Sequence, residues 1–506
     1  MSAKSGRFDR WQRLRGWGLA RVLGVCLVVG GWMATALTSA AQPAEPGLPL
    51  ELGTRRELFA DGWLVERMTG TVALKLHTPQ PAGTVLRFDS PWEGRFTGYV
   101  TVLQDGDRFR MYYRGSPLAG KDGSTNEVTC YAESADGRAW TKPALGLFEV
   151  GGTRSNNVVL AHHSPFSHNF APFLDARPGV AAGERYKALA GTSETGLHAF
   201  VSADGLRWRR LGDRPLLKDG AFDSQNVGFW SEAEQCYVIY FRTWTRGGFA
   251  GYRTISRVTS TNFTDWTAPV EMTFGGVGPE HLYTSQTHPY FRAPHLYVAT
   301  PMRFVPGRQV LSPEQARELG VAENYAGDVA EAVFMTSRGG SGYSRLFMEG
   351  FIRPGPDPGN WASRAGLTAL GIVPTGPAEM SLFKQAHYAQ PSCELVRYFL
   401  RTDGFVSVNA GFAGGELLTR PLRFGGRELE INFSTGAAGG VRVEIQDETG
   451  VGIPGYRIED AVEQVGDEVA RVVRWRQGSE VSGLAGRMVR LRWVMKDADV
   501  YALRFR

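Results

Sequence analysis

The chain reads as an all-β protein, a five-bladed β-propeller followed by a C-terminal β-sandwich. Three observations predict this. A short motif, Ser-x-(Asp/Asn)-x-x-x-Trp, occurs at Ser134-Ala-Asp136-Gly137-Arg-Ala-Trp140, Ser202-Ala-Asp204-Gly205-Leu-Arg-Trp208 and Ser260-Thr-Asn262-Phe-Thr-Asp-Trp266. Its copies are 68 and then 58 residues apart, with a worn fourth copy, Ser337 to Tyr343, 77 residues on. A repeat of this length flanked by β-type sequence means a radial array of sheets. Between the copies, short alternating runs such as Phe109, Met111 and Tyr113 follow turn signals such as Asp105-Gly106. Near residue 410 the texture changes to longer, strictly alternating strands, for example Val489-Arg-Leu-Arg-Trp-Val-Met495.

Taken in order, residues 1–41 read as a signal peptide. Six Lys/Arg precede or flank the apolar run Val22 to Leu37, and Ser39-Ala40-Ala41 fits a small-residue cleavage site. Residues 42–410 are assigned to the propeller and 411–506 to the sandwich. Leu58 to Val65 is expected to add the outer strand of the last blade and close the ring. Five units follow, each with three recognisable strands: 99–103, 108–114 and 128–134; 170–175, 186–190 and 198–202; 227–230, 237–242 and 254–260; 285–291, 296–301 and 332–337; 367–373, 380–385 and 395–401. One helix is expected over Ser312 to Leu319, with Ser312 as cap, Pro313 in the first turn and Gly320 as stop. The motif itself reads as structural: Ser and Asp hold a turn through local backbone bonds, and Trp fills the gap between blades.

The totals exclude several classes. The leader carries six Lys/Arg and one Asp, net +5, which equals the net charge of the whole chain. The remainder is neutral, so a basic pI gives no reason to expect a nucleic-acid partner. No stretch beyond the leader is long and apolar enough to span a bilayer, so no membrane partner is expected once the leader is cleaved. Cys130, Cys236 and Cys393 sit far apart in strand-like sequence and read as free thiols. There is no metal-ligand spacing and no cofactor motif; an axial Ca²⁺ has no loop motif to support it. The expected location is outside the cell or in the periplasm.

A site is expected where propeller geometry gathers polar side chains. The start of each inner strand and the end of each second strand face the same mouth. The starts are polar: Trp92-Glu93-Gly, His168-Asn169, Asp223-Ser-Gln225-Asn226, Glu280-His-Leu-Tyr-Thr-Ser-Gln286 and Asn360-Trp-Ala-Ser-Arg364. Three second strands end in Arg114, Arg242 and Arg303, and guanidinium groups there would favour a carboxylate or sulfate on the ligand. Paired carboxylates across such a mouth suit glycosidic-bond cleavage: one protonates the leaving oxygen, the other attacks or activates water. Asp223 and Glu280 are the expected pair, with Glu93 third. His168, Asn169, Gln225, Asn226, Gln286, Arg114, Arg242, Arg303, Arg364 and Trp92 are expected to bind substrate, a neutral or anionic poly- or oligosaccharide. A non-catalytic carbohydrate-binding propeller is the alternative.

These residues resemble the five-bladed glycoside hydrolase clan of families 32, 43 and 68. The chain is most similar to secreted planctomycete proteins labelled family-32-like or sialidase-like, through Leu58-Phe-Ala-Asp-Gly-Trp-Leu, Trp92-Glu-Gly, Tyr131-Ala-Glu-Ser-Ala-Asp-Gly, Phe222-Asp-Ser-Gln-Asn and Pro289-Tyr-Phe-Arg-Ala-Pro. The resemblance implies a propeller–sandwich order and action on a glycoside. It supplies no catalytic residues. The family-32 nucleophile box, Arg-Asp-Pro motif and Glu-Cys acid motif have no counterpart here.

Overall fold

The computed structural model describes residues 48–118 and 120–506, so the leader expected over residues 1–41 lies outside the described residues. Four-stranded antiparallel sheets radiate from a central axis. The first blade pairs Gly98–Asp105, Arg108–Gly115, Val128–Ser134 and Val158–Leu160; the second Ala171–Leu174, Tyr186–Thr192, Gly196–Ser202 and Arg209–Arg210; the third Val227–Ser231, Cys236–Trp244, Arg253–Ser260 and Val270–Glu271. The fourth pairs His288–Tyr290, Ala293–Ala299 and Met335–Ser337. It carries an insertion that the sequence reading missed: a hairpin of Met302–Val305 and Val329–Ala332 spanning the helix Pro313–Glu318. That helix has the expected ends. Ser312 Oγ accepts from Gln315 N at 3.1 Å, and Ser312 N donates to Gln315 Oε1 at 2.8 Å, a reciprocal cap.

The fifth blade pairs Val373–Gly376, Glu379–Ala386, Glu394–Arg401 and, as its outer strand, Gln80–Arg87. This corrects the expected closure by Leu58 to Val65. The chain closes the ring with residues just before the first blade, the shortest route from an outer strand of the last sheet to an inner strand of the first. A second closure is made at the axis, where Val102 N donates to Leu370 O at 2.7 Å and Leu370 N to Val100 O at 2.8 Å.

The repeated motif is a set of turns. In each of the first two copies one aspartate oxygen accepts from two following backbone amides, Asp136 Oδ1 at 2.8 and 2.9 Å and Asp204 Oδ1 at 2.8 Å from both. Ser Oγ accepts from the amide of Gly137 or Gly205 at 2.9 Å. Asn262 repeats the pattern with Thr264 and Asp265. Gly205 has φ +76°, and a Cβ there would sit 2.6 Å from the Tyr112 hydroxyl of the preceding blade. Trp208 packs edge-on to Tyr112 and Phe170, and Trp140 to Phe383 of the fifth blade, so each indole fills the seam behind its own blade.

The second sheet has ten strands centred on Val489–Phe505, which pairs along one edge with Leu429–Asp447. Both strands break at mid-length. Residues 435 to 440 form a bulge, Asp497 has φ +42°, and the Asp497 carboxylate lies where a Cβ on Gly436 would be. The sheet therefore folds over on itself and encloses a sandwich core that includes Trp475, Trp493, Phe433 and Leu491. Val489, Leu491, Trp493 and Met495 all face that core. Four strands between Leu50 and Leu76 also belong to this sheet: Leu50–Gly53 pairs parallel with Leu422–Phe424, and Arg56–Leu58, Val65–Gly70 and Ala73–Leu76 pair antiparallel. The expected boundaries put this segment with the propeller. Its pairing puts it in the sandwich.

The two parts meet in a buried ionic seam. Arg338, from the worn motif copy, donates to Asp61 Oδ2 and Glu57 Oε2 at 2.9 Å each and lies 4.1 Å from the Trp63 ring. Tyr290 donates to Asp403 Oδ1 at 2.8 Å. Cys130 and Cys393 are buried and Cys236 half-buried, all as free thiols. No helix of the described residues is long and apolar enough to cross a membrane.

Candidate functional site

The polar lead-in residues separate into two layers. The lower layer closes the axis. Gln225 donates to Val100 O and Thr101 Oγ1 at 3.2 and 2.9 Å, across from the third blade to the first. Gln286 donates to Gln225 Oε1 at 2.8 Å and to Thr368 O of the fifth blade at 2.6 Å. Asn169 and Asn226 donate to the backbone carbonyls of Ser224 and Phe222, and Asn169 also reaches Gly191 O at 2.9 Å. All four side chains are buried. Their N–H groups tie blades together, and their expected role in binding substrate is corrected accordingly, while Gln286 Oε1 and Asn226 Oδ1 stay buried without a partner.

The upper layer is the mouth. Its floor is a pair of tyrosines, Tyr99 and Tyr283, whose hydroxyls are 2.8 Å apart. Tyr99 sits in a register break between Gly98 and Thr101 at φ +52°, which turns its side chain out of the strand pattern. Arg364 has φ +62° at the start of the fifth inner strand. Left-handed backbone at non-glycine residues is uncommon and concentrates at functional sites. Burial raises the Tyr99 hydroxyl well above its usual pKa, whereas for Tyr283 the burial effect is outweighed by Arg364 and then Arg242, leaving it lowered.

Every blade contributes to this floor. Arg114 lies 4.6 Å from the Tyr99 ring and donates to Phe96 O at 2.8 Å and Tyr388 Oη at 3.1 Å. His168 packs edge-on to Tyr99; its Nδ1 is 2.9 Å from Glu127 Oε1 and its Nε2 is 3.1 Å from Asp223 O. Arg242 Nη2 reaches both oxygens of Asp223 at 2.5 Å and its guanidinium is 5.2 Å from the Tyr283 ring. Arg253 and Arg364 lie 6.0 and 5.4 Å from that ring.

Beside Asp223 opens a cleft of about 640 Å³, lined by Asp122, Ser124, Pro165, Glu194, Asp223 and Phe249 among others. Asp122 Oδ1 is 3.7 Å from His168 Nε2. Phe249 is 54% exposed at φ +64°, in the glycine-rich loop 245–251, and borders the cleft. A second hollow, about 440 Å³ in the sandwich, is lined by charges that pair with one another, Arg490 with Glu66 and Arg492 with Glu416 and Glu444.

The remaining expected residues fall elsewhere. Glu93 is fully buried; it accepts from Tyr113 at 2.7 Å, Lys142 at 2.6 Å and Ser90 N at 3.0 Å, so it has no face toward a ligand. Trp92 packs on the first-blade core and donates to Asn157 Oδ1 at 2.9 Å. Both are corrected to bracing roles. Glu280 stands at the start of the fourth inner strand as expected. Its oxygens are held by Arg303 Nη1 at 2.7 Å and Arg345 Nη2 at 3.1 Å, and it does not line the cleft. Arg303 also pairs with Glu331. Among the described residues, no group of three or more His, Cys, Asp or Glu is placed to hold a metal ion.

Missing from the sequence reading were Asp122, Glu127, Arg253 and Phe249. Asp122, Glu127 and Phe249 lie between second and third strands, and Arg253 opens the third strand of its blade. Third strands begin on the same face on which second strands end, so the glycine-bearing loops Lys121-Asp-Gly-Ser-Thr125 and Arg246-Gly-Gly-Phe-Ala-Gly251 carried the signal.

No protein-family profile and no curated protein matches the chain. Its neighbours among solved structures include several glycoside hydrolases and an N-acetylgalactosamine deacetylase from F. plautii, the latter 12% identical, covering 66% and 97%, with a TM-score of 0.40. One, described simply as a glycoside hydrolase, is 13% identical, with 64% of this chain aligned to 92% of that one and a TM-score of 0.44. A thermostable family-43 glycoside hydrolase is 12% identical, covering 62% and 93%, at 0.39. The catalytic domain of a GH62 α-L-arabinofuranosidase from Coprinopsis cinerea is 10% identical, covering 65% and 98%, at 0.38.

Proposed function

We propose that the mouth binds a poly- or oligosaccharide and cleaves a glycosidic bond in it, in a protein exported from the cytoplasm. The observation that carries this reading is the cleft in which Asp122 and Asp223 stand together, beside a floor to which all five blades contribute. Glycosidic cleavage needs two carboxylates flanking one bond, one to protonate the leaving oxygen and one to attack or to activate water. Asp223 is oriented by Arg242, and Asp122 is the more exposed of the two. His168 reaches toward both residues through Nε2. Phe249 offers a face on which a sugar ring can stack. Export is supported by the charge and hydropathy pattern of residues 1–41.

Binding without cleavage is the rival reading, favoured by the closed pairing of Asp223 with Arg242. Reducing-end release from a panel of plant and algal polysaccharides separates the two. Asp223→Asn and Asp122→Asn are each expected to lower turnover by about 10²-fold or more. Hydrolysis that survives both substitutions removes the assignment. Saccharide binding with no release by the unsubstituted protein establishes the rival.

A further inference from the structure

The arginines of the mouth are not equivalent. Arg114 donates to Phe96 O and Tyr388, Arg242 to Asp223, and Arg303 to Glu280, Glu331 and Met348 O. Arg253 and Arg364 have no carboxylate within 4 Å among the described residues. Arg364 has one long contact, Nη1 to Tyr325 Oη at 3.5 Å. Arg253 has one, Nη1 to His281 Nδ1 at 3.5 Å, and its Nε is buried with no partner. Both are half-buried; Tyr283 holds the pKa of Arg364 up, whereas burial together with Arg242 and Arg364 lowers that of Arg253. A guanidinium so placed, beside other cations and without a counter-ion, is unfavourable unless something else supplies the negative charge.

The surroundings hold the two groups still without consuming their donors. Arg364 lies over the rings of Tyr283 and Tyr325, at 5.4 and 5.5 Å. Arg253 lies over Trp244, Phe304 and Tyr283, at 4.6, 4.9 and 6.0 Å. Contact with a ring face orients the guanidinium plane and leaves its N–H edges free, which is the geometry for receiving an oxyanion.

We infer that Arg253 and Arg364 form a subsite for an anionic oxygen substituent, a carboxylate or a sulfate, on the saccharide. This rests on the reading of the mouth as a saccharide site. The anion completes the charge balance around Tyr283 and sets the specificity of the site toward acidic sugars. It is separate from the Asp122–Asp223 pair, which acts on the bond.

The test uses the whole chain carrying Asp122→Asn, which slows turnover and leaves the Asp223–Arg242 pair intact, so that binding is read ahead of cleavage. Titration calorimetry compares trigalacturonate with its trimethyl ester, and a sulfated carrageenan tetrasaccharide with its desulfated form. Preference of at least tenfold for one anionic member over its neutral counterpart, falling to about twofold in Arg253→Met/Arg364→Met, is expected. The pair that shows it identifies carboxylate or sulfate. A salt series on the Asp122→Asn protein serves if the double variant does not fold: affinity for the anionic member must fall between 50 and 500 mM NaCl while that for the neutral member holds. Equal affinity for charged and neutral members overturns the subsite and leaves the glycosidase reading standing. Binding of no saccharide in either series overturns both.

Discussion

Replacing Glu57 by Gln tests how the sandwich is fastened to the ring. Glu57 is fully buried, 2.9 Å from Arg338 Nη1, 2.9 Å from His295 Nε2 and 2.7 Å from Arg55 Nε. Burial alone would push its carboxyl upward. Arg338, then the contact and charge of His295, then Arg55 outweigh it and bring the pKa from an ordinary 4.5 down to about 2. At 1.36 kcal/mol per tenfold change in proton affinity, that is about 3 kcal/mol of stability at neutral pH. The depressed folded value fixes the sign. The contribution is complete above the unfolded value near 4.5, and it is lost as pH falls through the folded value near 2. At pH 3 about 1.4 kcal/mol should remain. Urea unfolding followed by tryptophan fluorescence, at pH 7 and pH 3, compares the two proteins. Glu57→Gln should cost about 3 kcal/mol at pH 7, because it leaves Arg338 with only Asp61, and roughly half that at pH 3. A cost under about 1 kcal/mol at pH 7, or one that does not shrink with acid, would refute the seam as a source of stability.

Three further substitutions separate structural from functional roles. Phe249→Gly relieves a left-handed backbone at an exposed side chain, so urea stability should hold within about 0.5 kcal/mol. Saccharide affinity should nevertheless fall about tenfold by calorimetry, the equivalent of about 1.4 kcal/mol; unchanged affinity would remove the stacking role. Glu280→Gln should lower stability by about 1–3 kcal/mol, because Arg303 and Arg345 lose a shared partner, while turnover by the folded protein stays within about twofold. A loss of turnover with the melting curve intact would return Glu280 to the catalytic machinery. Gly205→Ala forces φ +76° on a residue with a Cβ and drives that atom against Tyr112, and should cost about 1–3 kcal/mol in thermal or urea unfolding.

What could be read from the sequence follows from where each signal resides. The blades were legible because Ser134, Asp136 and Trp140, and their repeats, complete their bonding within seven residues. The helix was legible for the same reason, since Ser312 and Gln315 satisfy each other. Closure was not. Leu58 and Gln80 both begin plausible strands, and only long-range register pairs Gln80–Arg87 with Glu394–Arg401 and Arg56–Leu58 with Val489–Phe505. The face of the mouth was legible from strand direction, and Asp223, Arg242 and Arg364 are found there. Whether a polar residue on that face is free depends on its partners, which no local pattern carries. Gln225 and Gln286 meet across the axis from different blades, and Glu93 meets Lys142 from a distant turn. Arg253 and Arg364 lack the short contacts that hold Arg114 to Phe96 O and Tyr388.

The two layers together constrain how a saccharide can use the mouth. Below Tyr99 and Tyr283, the Gln225–Gln286 bond and its ties to Thr101 and Thr368 fill the axis with buried contacts. The mouth is therefore blind, and a polymer cannot thread the ring. A ligand that reaches the tyrosine floor must stop there. Asp223 stands at the edge of that floor, tied to it by Arg242, while the cleft lined by Asp122 and Phe249 runs outward from the same aspartate. A saccharide lying in the cleft with its terminal unit over the floor would place the next glycosidic bond beside Asp223. That arrangement favours attack from a chain end, with any charge on the terminal unit facing Arg253 and Arg364.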